Sequence, residues 1–125
     1  LGKISILHGE SCRLWWAAGL SNRFRAQEHF DRLDDKERAR LMALFERLAS
    51  RGEIRNQEQC RRETDNLYSL KSKQHRFVFF REGSDLMFVH AFRKKTNKDI
   101  RLKRAMETAE RIRTEYLDRT QRNDR

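Results

Sequence analysis

Apolar residues recur with a helical period in three segments of the chain and in strand-like patterns in four others. Ala26, Phe30 and Leu33 fall at i, i+4 and i+7, which predicts an amphipathic helix beginning near Arg23. Leu41, Leu44, Phe45 and Leu48 line one face of a second helix, with Asp34 or Asp35 as its N-cap and Gly52 as its stop. Arg47 and Arg51 stand in its last turns, where the helix dipole favours cations, and Arg38, Arg40 and Glu46 read with Arg47 as a solvated face. These two helices form a hairpin. Leu102, Ala105, Met106, Ala109, Ile112 and Tyr116 make the stripe of a C-terminal helix, with residues 119–125 expected to fray.

The strand candidates are residues 3–7, 66–72, 76–82 and 86–94. Residues 53–65 read as a polar connector, and residues 8–22 fit no regular pattern. The Trp15–Trp16 pair in that stretch is assigned to the edge of the core rather than to a base or a partner. The resulting order, β-α-α-β-β-β-α, predicts a single α+β domain over residues 1–125. Its sheet would be small and rich in antiparallel pairs, with the helical hairpin and the C-terminal helix packed on one face.

The turn at Glu82-Gly83-Ser84-Asp85 suits a two-residue type II′ loop with Gly83 first. Counting outward pairs Phe80 with Met87, Val78 with Val89 and Arg76 with Ala91. One face of the hairpin then carries Arg76, Val78, Phe80, Met87, Val89, Ala91 and Arg93. The other carries Phe77, Phe79, Phe88, His90 and Phe92 and is expected to face the helices. On this register Arg76 and Arg93 are diagonal neighbours, while His90 points away from Arg76 and reads as a hydrogen-bonded core residue.

Charge sharpens the picture. The 125 residues carry a net charge of +10. Residues 66–104 hold 11 basic and 3 acidic side chains, so they contribute +8 of it. A solvated surface usually mixes signs, so this concentration favours an anionic partner, nucleic acid before membrane. Cys12 and Cys60 are too few for a disulfide framework or a zinc knuckle and read as reduced thiols. The longest apolar run, from Leu14 to Leu20, is too short to span a bilayer and does not resemble a signal peptide, so a soluble cytoplasmic protein is expected. No metal-ligand spacing occurs, and neither a metal nor another cofactor is expected.

Two basic clusters flank the apolar hairpin, Lys71, Lys73 and Arg76 before it and Arg93, Lys94, Lys95 and Lys98 after it. Lysines guarding an edge strand would account for Lys71 and Lys73. They would not account for Arg76, which leads directly into four apolar residues. His75, at the strand entrance, suits acid–base work near neutral pH.

The blocks LYSLKSKQHRFVFF and MFVHAFRKKTNK, followed by a helix containing AERIRTEYL, resemble the RelE/ParE toxin superfamily, and most of all its HigB-like, phage-associated branch. The upstream segment ERARLMALFERLASRGEIRN resembles the second helix of that branch, and the resemblance covers roughly residues 26 to 117. It implies a toxin of a bacterial type II toxin–antitoxin system, usually an mRNA endoribonuclease acting on the translating ribosome. It also implies an antitoxin partner, typically a helix-turn-helix DNA-binding protein. Carried over by position, the site residues would be Lys71, Lys73, Arg76 and Arg93, with Lys94 in the basic pair after the HxF motif. Ala91 and Asp99-Ile100 depart from the branch pattern of a Gly after the His and a Thr-Pro pair after KKT. Tyr116 lies on the apolar stripe and reads as structural, so no acidic or tyrosine base is evident past the last strand.

On this reading Arg76 and Arg93 hold the scissile phosphate and Lys71 or Lys73 transfers the proton, with His75 as a further candidate. Lys94, Lys95, Lys98 and His75 would contact RNA, and no metal takes part. The alternative is a non-enzymatic toxin of the same fold that binds nucleic acid or poisons gyrase.

Overall fold

Alternation along the central strands sends neighbouring side chains to two cores, one on each face of a six-stranded sheet. The structure, a computed structural model, describes residues 2–95 and 100–123. Its elements are β1 (Lys3–His8), β2 (Arg13–Ala17), α1 (Arg25–Asp31), α2 (Asp35–Arg51), β3 (Cys60–Arg62), β4 (Tyr68–Ser72), β5 (His75–Glu82), β6 (Asp85–Arg93) and α3 (Arg101–Asn123). The sheet order is β1-β2-β6-β5-β4-β3, antiparallel throughout except for the β2–β6 pair. The α+β class is as the sequence pattern predicts.

Leu70, Phe77, Phe79 and Phe88 join Leu41, Phe45 and Leu48 of α2 in the first core. Phe45 is fully buried, its ring centroid 5.7 Å from Trp16 and 5.1 Å from Phe88. Burial of a side chain of this size is worth about 1.5–3 kcal/mol. Val78, Phe80, Met87 and Val89 face the other way and meet Met106, Ala109, Ile112 and Tyr116 of α3. The expectation of all three helices on one face is therefore corrected. Strands β5 and β6 are apolar on both faces, so each face needs a cover, and α3 supplies the second.

Three further expectations change. Residues 8–22 contain β2, a continuous apolar strand whose alternation is hidden because both of its faces are packed. Trp16 is 5% exposed in the first core, while Trp15 lies against the second and donates from Nε1 to Asp85 Oδ1 at 2.9 Å. Both tryptophans serve the core, as expected. Gly9 precedes this strand because an added Cβ would lie 2.4 Å from the Ala49 backbone. The connector 53–65 holds β3, an edge strand paired with β4. The tail expected to fray from residue 119 is helical through Asn123, and Arg119 donates to Asn22 Oδ1 at 2.6 Å.

The second helix starts as its sequence dictates. Asp34 accepts from the Glu37 backbone N–H at 2.8 Å, Glu37 accepts in return from the Asp34 N–H, and Gly52 closes the helix at φ +81°. Gly83 has φ +62°, as the first position of a type II′ turn requires.

One irregularity decides where the cations lie. From the turn outward the β5–β6 register is as predicted, with Phe80 opposite Met87 and Phe79 opposite Phe88. A β-bulge follows, and Val78 then faces His90 rather than Val89. Beyond it every pair moves by one residue: Phe77 faces Ala91, Arg76 faces Phe92 and His75 faces Arg93. Because partners share a face, Arg76 and Arg93 lie on opposite faces of the sheet, and their expected diagonal contact is not formed. His90 moves as well. It joins Val78 and Arg76 on the α3 side, stacked on Phe92 at 6.3 Å, instead of entering the layer of Phe77, Phe79 and Phe88.

Candidate functional site

Cross-strand pairing assembles a row of cations on the α3 side of β3, β4 and β5. Arg61 faces Ser69 and Lys71 faces Arg76, and Ser69 and Lys71 are two residues apart on β4, so all four share that face. Arg76 is half-buried and donates from Nη1 to the backbone oxygens of Lys73 and His75, which holds its guanidinium at the β4–β5 turn. Lys71 is held from the turn that leads into β3, its backbone N–H donating to Gln59 O at 2.7 Å. Burial, and then the charges of Arg76 and Arg61, pull the Lys71 ammonium below the ordinary lysine pKa, with Glu63 acting against them. Burial also lowers Arg76, and Glu63 again opposes it.

Glu63 is the residue that sequence reasoning missed. Its Oε1 accepts a hydrogen bond at 2.8 Å from the hydroxyl of Ser69, which is 1% exposed. A carboxylate thereby joins the face that carries Arg61, Lys71 and Arg76. The signal in the sequence is Thr64-Asp65-Asn66, a turn cluster. Read as a hairpin between two strands, it sets Arg61 opposite Ser69 and brings Glu63 back over β4.

The remaining candidates divide between locations. Lys94 is half-buried and close enough to Lys71 to repel its charge. Lys73 occupies the β4–β5 turn at φ +54°, a left-handed conformation unusual for a residue with a Cβ. His75 and Arg93 lie on the opposite, helical-hairpin face, and Arg93 donates from Nε to Gln74 Oε1 at 2.8 Å. Lys95 is exposed just past β6, and Lys98 lies outside the described residues. His90 is half-buried, and the expected hydrogen bond is not made at its buried Nδ1, which has no partner among the described residues. Burial, then Arg25, His29 and Arg111, push its imidazole down to about 4, so it is neutral at pH 7.

Among the described residues, no group of three or more His, Cys, Asp or Glu side chains is arranged to hold a metal ion. No helix among them is long and apolar enough to cross a membrane.

The fold is an α+β sheet flanked by helices, with a carboxylate set among cations on one face, an arrangement whose chemistry suits phosphate groups. Residues 28–114 match the family described as phage-derived protein Gp49-like, and the chain belongs to that family. It is a family of RelE- and HigB-like toxins of type II toxin–antitoxin systems, so a cognate antitoxin is the partner that membership implies. No curated protein matches the chain.

Proposed function

We propose that the protein is the toxin of a HigB-like pair and cuts mRNA on the translating ribosome in the cytoplasm, without a metal, until a helix-turn-helix antitoxin binds it. The observation that carries this reading is the row of Arg61, Lys71 and Arg76 with the Glu63 carboxylate on the same face.

Cleavage of RNA at its own 2′-hydroxyl needs a proton acceptor, positive charge around the phosphorane and a proton donor for the leaving oxygen. Glu63, held by Ser69, takes the 2′-hydroxyl proton as that oxygen bonds to the adjacent phosphorus. Arg76 and Arg61 stabilise the extra negative charge, and burial of Arg76 strengthens its effect. The P–O5′ bond breaks, its electron pair leaves with the 5′-oxygen, and the Lys71 ammonium protonates that oxygen. A lysine with a lowered pKa gives up its proton more readily than an ordinary one. The products are a 2′,3′-cyclic phosphate and a 5′-hydroxyl, and both side chains recover by proton exchange with water. Lys94 flanks this row and suits contact to a neighbouring phosphate.

Induction of the protein in a bacterial host tests the reading. Growth arrest with new RNA 5′ ends inside coding regions is expected, relieved by co-expression of a neighbouring helix-turn-helix protein. Arrest with gyrase-linked DNA breaks and intact mRNA would overturn it.

A further inference from the structure

The opposite face of the sheet holds a second group of titratable side chains that the proposed reaction does not use. A cavity of about 630 Å³ lies between the helical hairpin and the β4–β5 turn, lined among others by His29, Arg32, Glu37, Lys73, His75 and Arg93. Three of these form a hydrogen-bonded chain drawn from three elements. His75 Nε2 donates to Glu37 Oε2 at 2.8 Å, which leaves His75 Nδ1 as the acceptor for His29 Nε2 at 2.9 Å. With Glu37 ionised, this order fixes both neutral tautomers and leaves a lone pair on His29 Nδ1. No hydrogen bond to that nitrogen is formed among the described residues, and His29 as a whole is half-buried.

Around the chain stand three permanent cations. Arg32 caps α1, Lys73 is carried on the left-handed turn, and the Arg93 side chain is oriented by its bond to Gln74. Within the lining the Glu37 carboxylate opposes them, so the named lining carries a net formal charge of +2 when both histidines are neutral, and Glu28 stands 4.0 Å from Arg32 outside it. The hydrogen-bonded chain also ties β5 to the hairpin, but a tie requires no ring of cations around it. A concave site with this charge suits a compact dianion better than an extended, singly charged diester backbone.

We propose that this cavity binds a phosphate monoester, the terminal phosphate of a nucleotide or of a nucleic-acid chain, with His29 taking up a proton on Nδ1 as the phosphate arrives. Arg32 and Arg93 hold the phosphate oxygens and Lys73 closes over them from the turn. In the empty cavity His29 is pushed down to about 4 by burial, then by His75 and Arg32, with Glu37 opposing. A phosphate offsets the cations and adds an acceptor for the new N–H, so the protonated form gains. The groups acting on His29 are His75 from β5, Arg32 at the end of α1 and Glu37 from α2, with His90 of β6 also within electrostatic reach, while Lys73 from the turn and Arg93 from β6 line the same cavity.

The site is independent of the cleavage reading, because binding is measured without turnover. The test is a titration of the full chain with inorganic phosphate, followed by the imidazole signals of His29 and His75 in NMR spectra. Saturable shifts of both rings are expected, with the His29 titration midpoint rising above about 4 when phosphate is bound. R93Q and R32Q should each weaken binding by about tenfold or more, the scale of one charged hydrogen bond. AMP is then compared with 5′-phosphorylated and 5′-hydroxyl tetradeoxynucleotides, which no 2′-hydroxyl reaction can cut. Tighter binding of AMP identifies a free nucleotide as the source, and tighter binding of the phosphorylated chain identifies a strand end. Equal binding of the two tetranucleotides would overturn the proposal. So would an unmoved His29 midpoint, or phosphate binding unchanged in both arginine variants.

Discussion

Ser69 Oγ donates a hydrogen bond to Glu63 Oε1 across 2.8 Å, and this contact brings a carboxylate from the β3–β4 connection onto the cationic face of the sheet. If Glu63 accepts the 2′-hydroxyl proton, E63Q keeps the shape of the side chain and loses the base. RNA cleavage should then fall by about 10²–10⁴-fold, the usual scale for general-base removal. Circular dichroism and the melting temperature should stay near those of the unaltered protein. A fully active E63Q would remove Glu63 from the mechanism.

Lys71 separates charge from proton transfer. K71R preserves a cation beside Arg76 but cannot release a proton near neutral pH. RNA affinity should hold while the cleavage rate drops. In the unaltered protein an acid must be protonated, so activity is expected to disappear as pH rises through the lowered lysine pKa. The alkaline limb of the rate profile should thus lie below 10.5, the ordinary value. A limb at or above that value would argue against Lys71 as the donor.

Stability should fall on mild acidification. His29 and His90 are both pushed down to about 4 in the folded protein, against 6.5 for a free imidazole. The unfolded chain therefore binds more protons between these values. The stabilisation is fully present above 6.5 and is lost as pH falls toward 4. Thermal melts across this range should show the decline, and it should be shallower in H90L, which also removes the unpartnered Nδ1. An identical slope in H90L would contradict the assignment.

Glu37 serves two structures at once. One oxygen closes the capping box with Asp34 and the other accepts from His75. E37A is expected to cost about 1–3 kcal/mol in urea denaturation, combining a lost cap with an unpaired half-buried histidine. A cost below about 0.5 kcal/mol would mean that neither contact matters.

The sequence pattern was legible where a single face is buried. The stripe Leu41, Leu44, Phe45 and Leu48 and the capping signal at Asp34 located α2 because helix period and cap chemistry agree. The Glu82–Asp85 turn set the register of its near half because Gly83 suits the first position of a two-residue loop. Past Phe79 that register depended on a bulge. One extra residue with an ordinary apolar side chain leaves no mark on the pattern, yet it sends Arg93 to the opposite face from Arg76. Strand β2 was hidden because a strand covered on both faces loses its alternation. Glu63 was hidden because its role depends on the short β3–β4 pairing, which a three-residue strand barely announces. Lys71 and Arg76, by contrast, could be picked out directly as candidates, since Lys71 lies near the end of one strand and Arg76 near the start of the next, beside an apolar run.

The most direct measurement of the central claim is cleavage of a defined mRNA in a purified translation mixture containing chelator, with the product ends mapped. Cuts within the translated region, 5′-hydroxyl and cyclic-phosphate ends, and loss of cutting in a folded R76A protein are expected. Undiminished cutting by R76A, or intact mRNA in the presence of the unaltered protein, would contradict it.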